Sequence, residues 1–416
     1  MKVLQIKGGK ELSGEIVISG AKNSAVALIP AAILADEPIK ILNVPQISDI
    51  DALSDSLKYL GASVTRTGET FIIDPKSLIN KPIPENISNK LRASYYFMGA
   101  LLGKYKEVDM FFPGGCAIGS RPINLHLKGF EALGAKIEEK GNRYHIYAKE
   151  LKGTNIYLDF ASVGATINIM LAATRAKGKT IIDNAAKEPE IVNIAIFLNN
   201  MGAKIKGAGT STITIIGVDH LKGCFHEVIP DRIEAGTYVI LGALVGNKLK
   251  ISNLIPEHIE ALLSKLKEAG VEMEIGDDHI IISKPNKYKS ISIVTQIYPG
   301  FPTDLQQPIT PLLTQCPSAS ITENIFENRF MHIKAFNKLG GKIKINGKKA
   351  IFKGPCQLKG TKIEATDLRA GAAMVLAGLI AKDITIITNI EHILRGYEGI
   401  VEKLINVGAK IEVREI

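Results

Sequence analysis

The sequence predicts an α/β protein built from six similar β/α modules, three to a domain. Three observations lead there: a recurring glycine phrase, a strand ending in Asn ahead of five of its six copies, and a second, almost wholly apolar helix at a matching phase. The phrase reads Leu60-Gly-Ala-Ser-Val64, Leu133-Gly-Ala-Lys-Ile137, Met201-Gly-Ala-Lys-Ile205, Ala269-Gly-Val-Glu-Met273, Leu339-Gly-Gly-Lys-Ile343 and Val407-Gly-Ala-Lys-Ile411. Its glycines (Gly61, Gly134, Gly202, Gly270, Gly340, Gly408) recur at intervals of 68 to 73 residues. Common solenoid repeats run to roughly 20–50 residues, so this longer period points to two pseudo-threefold domains instead.

Each module follows one order. Strand runs ending near an Asn are expected at Ile39–Asn43, Thr180–Asn184, Leu249–Asn253, Ile321–Asn324 and Ile384–Asn389. An amphipathic helix follows, apolar at i, i+4 and i+7 as in Leu53/Leu57/Leu60 and Ile400/Leu404/Val407. The glycine after it fits a left-handed C-cap, and the next run restarts a strand. The second helix starts near Lys22, Arg92, Ser162, Asp231, Asp304 and Asp367. Its composition, as in Leu368 to Leu379, leaves little polar face, which predicts an interior position. The phase puts a domain boundary near Pro230–Asp231: an N-terminal domain of residues 22–230, and a C-terminal domain of 231–416 joined by residues 1–21.

Composition bounds the function. With 416 residues, 46% hydrophobic and 22% charged, the chain reads as a soluble globular protein. The most apolar stretches, 26–35 and 370–381, fall short of the roughly 18 residues of a membrane span, and nothing resembles a signal peptide. Cys116, Cys224, Cys316 and Cys356 are scattered, as suits reduced thiols in a cytoplasm. The eight histidines show no metal-ligand spacing, so no metal is expected. The net charge of +9 is spread along the chain. It fits a solvated basic surface or a cleft for polyanionic small molecules; without tryptophan or aromatic–basic ribbons it does not suggest nucleic acid.

The starts of the interior helices carry the candidate chemistry. Unpaired N–H groups and the positive dipole end attract phosphates and carboxylates. Ser162, Asp231 and Asp367 also suit plain N-caps. Lys22 and Arg92 oppose the dipole, so capping does not explain them. The segment Phe111 to Arg121 breaks the module order with Gly114, Gly115 and Gly119. It reads as a lid on which Arg121 lowers the pKa of Cys116, making the thiol a general acid or nucleophile. The alternative is that Cys116 is an inert small hydrophobe. Arg395 is expected to open the last amphipathic helix, either as a phosphate ligand or as one half of a surface ion pair.

The motifs Ser19-Gly-Ala-Lys-Asn23, Leu91-Arg-Ala-Ser94, Pro113-Gly-Gly-Cys-Ala-Ile-Gly-Ser-Arg-Pro122, Ser162-Val-Gly-Ala-Thr166, Pro230-Asp-Arg-Ile-Glu234, Phe301-Pro-Thr-Asp304, Phe326-Glu-Asn-Arg-Phe330, Ala365-Thr-Asp-Leu-Arg369 and Arg395-Gly-Tyr-Glu398 resemble those of the UDP-N-acetylglucosamine enolpyruvyl transferases, across essentially the whole chain. The resemblance implies a two-domain inside-out α/β barrel of six βαβαββ-type repeats that opens and closes. It also implies transfer of the carboxyvinyl group of phosphoenolpyruvate to UDP-N-acetylglucosamine, the first committed step of peptidoglycan synthesis.

By that resemblance Cys116 is the acid, or adds covalently to the substrate, and Asp304 is the base on the sugar hydroxyl. Lys22, Asn23, Arg121 and Arg395 hold phosphoenolpyruvate. Arg92, Arg121, Pro122, Ile123, Asn124, Leu125, Ser162, Val163, Gly164, Asp304, Ile325 and Phe326 line the nucleotide-sugar site. Asp367, Arg369, Glu188, Asp231 and Arg329 support them from behind. No cofactor, metal, nucleic acid or membrane is implied, and a cytoplasmic monomer is expected. Ser48 and Phe160 stand where some members carry lysine, which implies altered grip on the diphosphate. The alternatives are a shikimate-pathway enolpyruvyl transferase, a non-catalytic binding protein on the same architecture, and a nucleic-acid enzyme of the related RNA-cyclase architecture. The last would need a C-terminal histidine motif, where His392 stands alone.

Overall fold

All six phrase glycines take the left-handed backbone, with φ between 85° and 107°. At each one the helix ends in the same pair of bonds: Gly61 N–H donates to the Lys58 carbonyl and Ala62 N–H to the Leu57 carbonyl, and the other five repeat the pattern. This paired cap satisfies two orphan carbonyls and demands a residue free of Cβ strain at its pivot, which is why the phrase recurs.

The computed structural model describes residues 2–89, 92–111 and 123–415. Among them the chain divides into one unit of residues 20–229 and another of 2–19 with 230–415. The α/β modules form three sheets in each unit. In the first unit the sheets run Phe225–Glu227, Ile39–Leu42, Thr70–Asp74, Ser63–Thr67; then Glu107–Phe111, Arg143–Tyr147, Lys136–Lys140; then Lys204–Lys206, Thr212–Ile216, Lys179–Asp183, Asn155–Tyr157. One strand pairs parallel (His226 with Ile41) and the rest antiparallel (Ile41 with Phe71); in the second sheet the parallel partner shrinks to a single bridge, Ile83 with Met110. Each module lends its last strand to the next sheet, and Phe225–Glu227 returns to the first.

The second unit repeats this plan. Its sixth module is completed by the start of the chain: Lys2–Lys7 pairs with Ile384–Thr388 and Lys410–Glu415, and Glu15–Val17 pairs parallel with Leu249–Ser252. The Asn at the strand end explains how the parallel strand is held. Asn43, Asn184 and Asn253 adopt φ near 55°, and their amides donate to the carbonyls of Val228, Leu158 and Ile18, just beyond that strand. Asn389 is also left-handed and donates to Glu364. Asn324 differs: its own backbone N–H is taken by Thr295 Oγ1 at 2.9 Å.

The interior helices are buried nearly all round, as in Lys22–Ala31, where every residue from Ser24 on is buried. Tyr96–Tyr105 packs on Val163–Ala173 so closely that a Cβ on Gly99 would lie 2.4 Å from the Asn168 carbonyl oxygen. The fully buried Asn168 side chain accepts from Gly99 N–H at 2.9 Å and donates to Tyr95 O and His126 Nδ1. At the far ends of the three interior helices of this unit, cations cap carbonyls: Lys104 on Ala35, Arg175 on Leu34, and Lys106 on Arg175. Asp36 neutralises part of this cluster; burial opposes its charge, yet Leu221 N–H, Lys104 and Arg175 hold it down to about 2. The helices therefore end together, and helices of this length begin together at the opposite end, about 15 Å away.

The interior helix of the fifth module departs from expectation. A 3-10 turn, Thr303–Leu305, precedes a short helix, Thr310–Gln315. Pro308 disfavours helical geometry at Gln307, and helix resumes only with Pro311 in its first turn.

Candidate functional site

In the unit of residues 20–229 the gathered helix starts bring up Lys22 and Ser162. Lys22 is the first residue of its helix, which has no side-chain cap, and its Nζ lies 2.7 Å from Asp49 Oδ2. Asp49 is itself 5% exposed, in the first turn of Ser48–Tyr59, where the dipole favours a carboxylate. Half-buried Asn23 follows on the helix. Ser162 is an N-cap, accepting from Ala165 N–H at 3.3 Å, so the capping reading holds for its side chain.

Val163 and Gly164 are half-buried; a Cβ at Gly164 would stand 3.0 Å from the Tyr95 hydroxyl and 3.1 Å from the His126 ring. Ile123 and Leu125 are buried, Asn124 is exposed at the start of Asn124–Ala132, and Glu188 precedes Pro189–Asn200 without capping it. Arg92 opens the 3-10 turn Arg92–Tyr95. Cys116, Arg121 and Pro122 lie outside the described residues. Ser48 opens its helix, and Phe160 is 56% exposed.

In the unit of residues 2–19 and 230–415 the acids at the helix starts have divided tasks. Asp231 caps Arg232–Val245 through Ile233 and Glu234 N–H, and Asp367 caps Leu368–Ile380 through Arg369 and Ala370 N–H. Asp304 caps nothing. Its Oδ1 accepts from Arg329 at 2.8 Å and its Oδ2 from Arg369 at 3.1 Å, both guanidiniums being almost fully buried. Burial opposes the charge of Arg369, but Tyr397, Asp304 and Asp231 together raise it above its ordinary value. Two buried guanidiniums thus hold the Asp304 carboxylate in one orientation, while 28% of its side chain stays open.

Ile325 and Phe326 sit in a turn whose N–H groups both donate to Glu323 Oε1, while Glu323 Oε2 accepts from Thr303, the neighbour of Asp304. Sequence reasoning missed Glu323 and Asp49, because a carboxylate in a polar turn gives no sign that it is buried. Arg395 corrects an expectation. It does not open the last amphipathic helix, which runs Ile400–Asn406; it ends the short helix Glu391–Leu394, where the intervening Gly399 takes φ of 54°. A cation suits that helix end.

Sequence reasoning also passed over a buried pair beside Asp231. Lys403 Nζ is 2.7 Å from Glu234 Oε1 and donates to Ser19 Oγ, while Glu234 Oε2 accepts from Ser19 N–H at 2.8 Å. Burial pushes the Glu234 carboxyl up to about 7, with Asp231 adding to the rise and Lys403 and the Ser19 amide opposing it. A raised folded-state value means that the stability it contributes is full below the unfolded value of 4.5 and is lost as pH rises through about 7. The stability of wild type relative to Glu234→Gln should therefore fall between pH 5 and pH 8, by on the order of 3 kcal/mol. Thermal unfolding at the two pH values checks this, and an unchanged gap would contradict it.

The family model described as EPSP synthase (3-phosphoshikimate 1-carboxyvinyltransferase) matches residues 6–404. The chain belongs to the EPSP synthase family. Within that family, UDP-N-acetylglucosamine 1-carboxyvinyltransferase 2 of Listeria monocytogenes is 55% identical over 98% of this chain and 97% of its own length. Its counterpart in Bacillus cereus is 54% identical over 99% and 96%. Among solved structures, the enolpyruvyl transferase NikO from Streptomyces tendae matches with a TM-score of 0.90 at 26% identity, covering 99% of both chains. EPSP synthase from Acinetobacter baumannii matches with a TM-score of 0.78 at 18% identity over 100% of both, a likeness of fold.

Proposed function

We propose that this EPSP synthase family member transfers the carboxyvinyl group of phosphoenolpyruvate to the 3-hydroxyl of UDP-N-acetylglucosamine, with release of phosphate. One observation carries the reading: 55% identity, over nearly the full length of both chains, to a relative named for that reaction. It favours the nucleotide sugar over shikimate 3-phosphate as acceptor. The step belongs to peptidoglycan synthesis.

The residue roles are part of the proposal. Carbon 3 of phosphoenolpyruvate takes a proton from Cys116 while the sugar oxygen bonds to carbon 2 and gives its proton to Asp304. Phosphate then leaves the tetrahedral ketal, taking up the proton held by Asp304, as a carbon 3 proton passes to the Cys116 thiolate and the double bond is restored. Lys22, Arg121 and Arg395 neutralise the phosphate and carboxylate, with Asn23 beside them. Asp49, 2.7 Å from Lys22, aims the ammonium. Arg92, Ile123 to Leu125, Ser162 to Gly164, Ile325 and Phe326 receive the nucleotide sugar; Asp367, Arg369, Arg329, Asp231 and Glu188 position the reacting groups. Residues 22–230 and 1–21 with 231–416 act as its two domains.

A cytoplasmic monomer fits this assignment. Cys224, Cys316 and Cys356 are free thiols, and among the described residues no helix is long and apolar enough to cross a membrane.

Phosphate release from phosphoenolpyruvate tests the acceptor directly. It should require UDP-N-acetylglucosamine and fail with shikimate 3-phosphate; the reverse would move the chain to the shikimate branch. An epoxide phosphonate such as fosfomycin should add its mass to the Cys116 peptide and abolish activity. Full activity with an unmodified peptide would remove Cys116 from the mechanism.

A further inference from the structure

Behind Asp304 runs a ring of contacts within one unit. Asp304 accepts from Arg329 on one oxygen and from Arg369 on the other. The backbone N–H of Arg369 donates to Asp367 Oδ1 at 3.0 Å, and Asp367 Oδ2 accepts from Gln307 Nε2 at 3.0 Å. Adjacent Gln306 accepts through its carbonyl from Thr310 Oγ1 at 3.2 Å, and Thr310 Oγ1 meets His332 Nε2 at 2.9 Å. His332 lies three residues past Arg329 and its ring hydrogen-bonds the Arg329 backbone, which closes the ring. Gln306, Gln307, Thr310 and His332 are 0% exposed and Arg329 is 2% exposed.

Five buried polar atoms on this ring have no hydrogen-bond partner among the described residues: Arg329 Nε and Nη1, Gln306 Oε1 and Nε2, and Gln307 Oε1. Thr310 spends its one hydroxyl proton on the Gln306 carbonyl. Burial keeps the His332 ring neutral, and the ring also hydrogen-bonds the Arg329 backbone. Three donor atoms (Arg329 Nε, Arg329 Nη1, Gln306 Nε2) and two acceptors (Gln306 Oε1, Gln307 Oε1) are left over. Buried polar groups are nearly always satisfied, and a charged guanidinium left with open N–H groups is among the costliest exceptions. Donors and acceptors that do not pair directly are the setting in which internal water is held by two to four protein groups.

We propose that internal water behind Asp304 joins Arg329 to Gln306 and Gln307, a hydration site that makes Gln306 a positioning residue for Asp304. The positioning role rests on the reading of Asp304 as base; the hydration site does not. Held from behind through Nε and Nη1, Arg329 has no freedom to swing, and its remaining nitrogen fixes the carboxylate.

A high-resolution crystal structure of the full chain, with steady-state kinetics of wild type and Gln306→Met, tests both parts. Met keeps the volume and removes one donor and one acceptor. The expected result is ordered solvent bridging Arg329 to Gln306 and Gln307. In the variant, kcat should fall about 10- to 100-fold while KM for phosphoenolpyruvate changes by less than about threefold. A purely structural Gln306 would lower the melting temperature and leave kcat per folded enzyme unchanged, which would overturn the positioning role. Density showing direct side-chain hydrogen bonds and no solvent would overturn the hydration site, even if Gln306→Met does not fold. Bridging solvent together with a fully active Asp304→Asn enzyme would retire the base and the positioning role while upholding the hydration site.

Discussion

Asp304→Asn should lower kcat about 10³-fold, the scale of loss when a positioned general base is removed. The substitution keeps the shape of the side chain but takes away its charge and most of its basicity. It also leaves Arg329 and Arg369, at 2% and 5% side-chain exposure, facing a neutral amide. Removing one partner of a buried pair costs about 3–5 kcal/mol, and the partial exposure of Asp304 reduces that figure. The melting temperature should therefore drop as well, but the loss of kcat per folded enzyme should far exceed any loss of folded protein. Single-turnover phosphate release on the folded fraction separates the two effects. A rate within about fivefold of wild type would show that the carboxylate orients substrate without taking its proton, since base removal costs at least about 10².

Gly20→Ala should be among the most damaging single-methyl additions in the chain. A Cβ there would stand 1.7 Å from the Asn43 carbonyl oxygen. Asn43 has little room to retreat: it holds a left-handed φ of 54°, and its amide is bonded to Val228 O at 2.9 Å. The glycine's other flank is held too, because Ala21 N–H donates to Ile229 O at 2.7 Å. Overpacking against backbone at a site with no slack costs about 3 kcal/mol or more. Because Lys22 lies two residues on, the strain should displace its ammonium from Asp49, and kcat/KM should fall along with stability. Thermal unfolding and kinetics on the soluble fraction test this. A melting temperature within about 2 °C of wild type would mean that the corner yields more easily than its bonds suggest.

The architecture was open to a reader of the sequence because it is written locally and six times over. The cap geometry needs a glycine two residues past the end of each outer helix, so a single backbone requirement leaves a visible mark every 68 to 73 residues. The interior helices were legible for a similar reason, since a helix without a polar face has nowhere to go but inside. Lys22 stood out because a cation at a helix start works against the dipole. Where the local rules are broken by proline, as at Pro308 and Pro311, the reading failed in detail: the fifth interior helix is shorter than its phase suggested.

Composition, period and helix-end chemistry by themselves determined the fold class, the number of modules and the positions where charge matters. They did not determine what each charge meets. Ser162, Asp231, Asp304 and Asp367 look alike at helix starts, yet three of them cap and Asp304 instead receives two guanidiniums from 25 and 65 residues away. Lys22 finds Asp49, Glu234 finds Lys403, and the first strand finds the last, Lys2 opposite Glu415. Such pairings arise only when threefold packing brings distant segments together. Burial then decides which ionised groups need a partner, and neither distance nor burial is a property of neighbours along the chain.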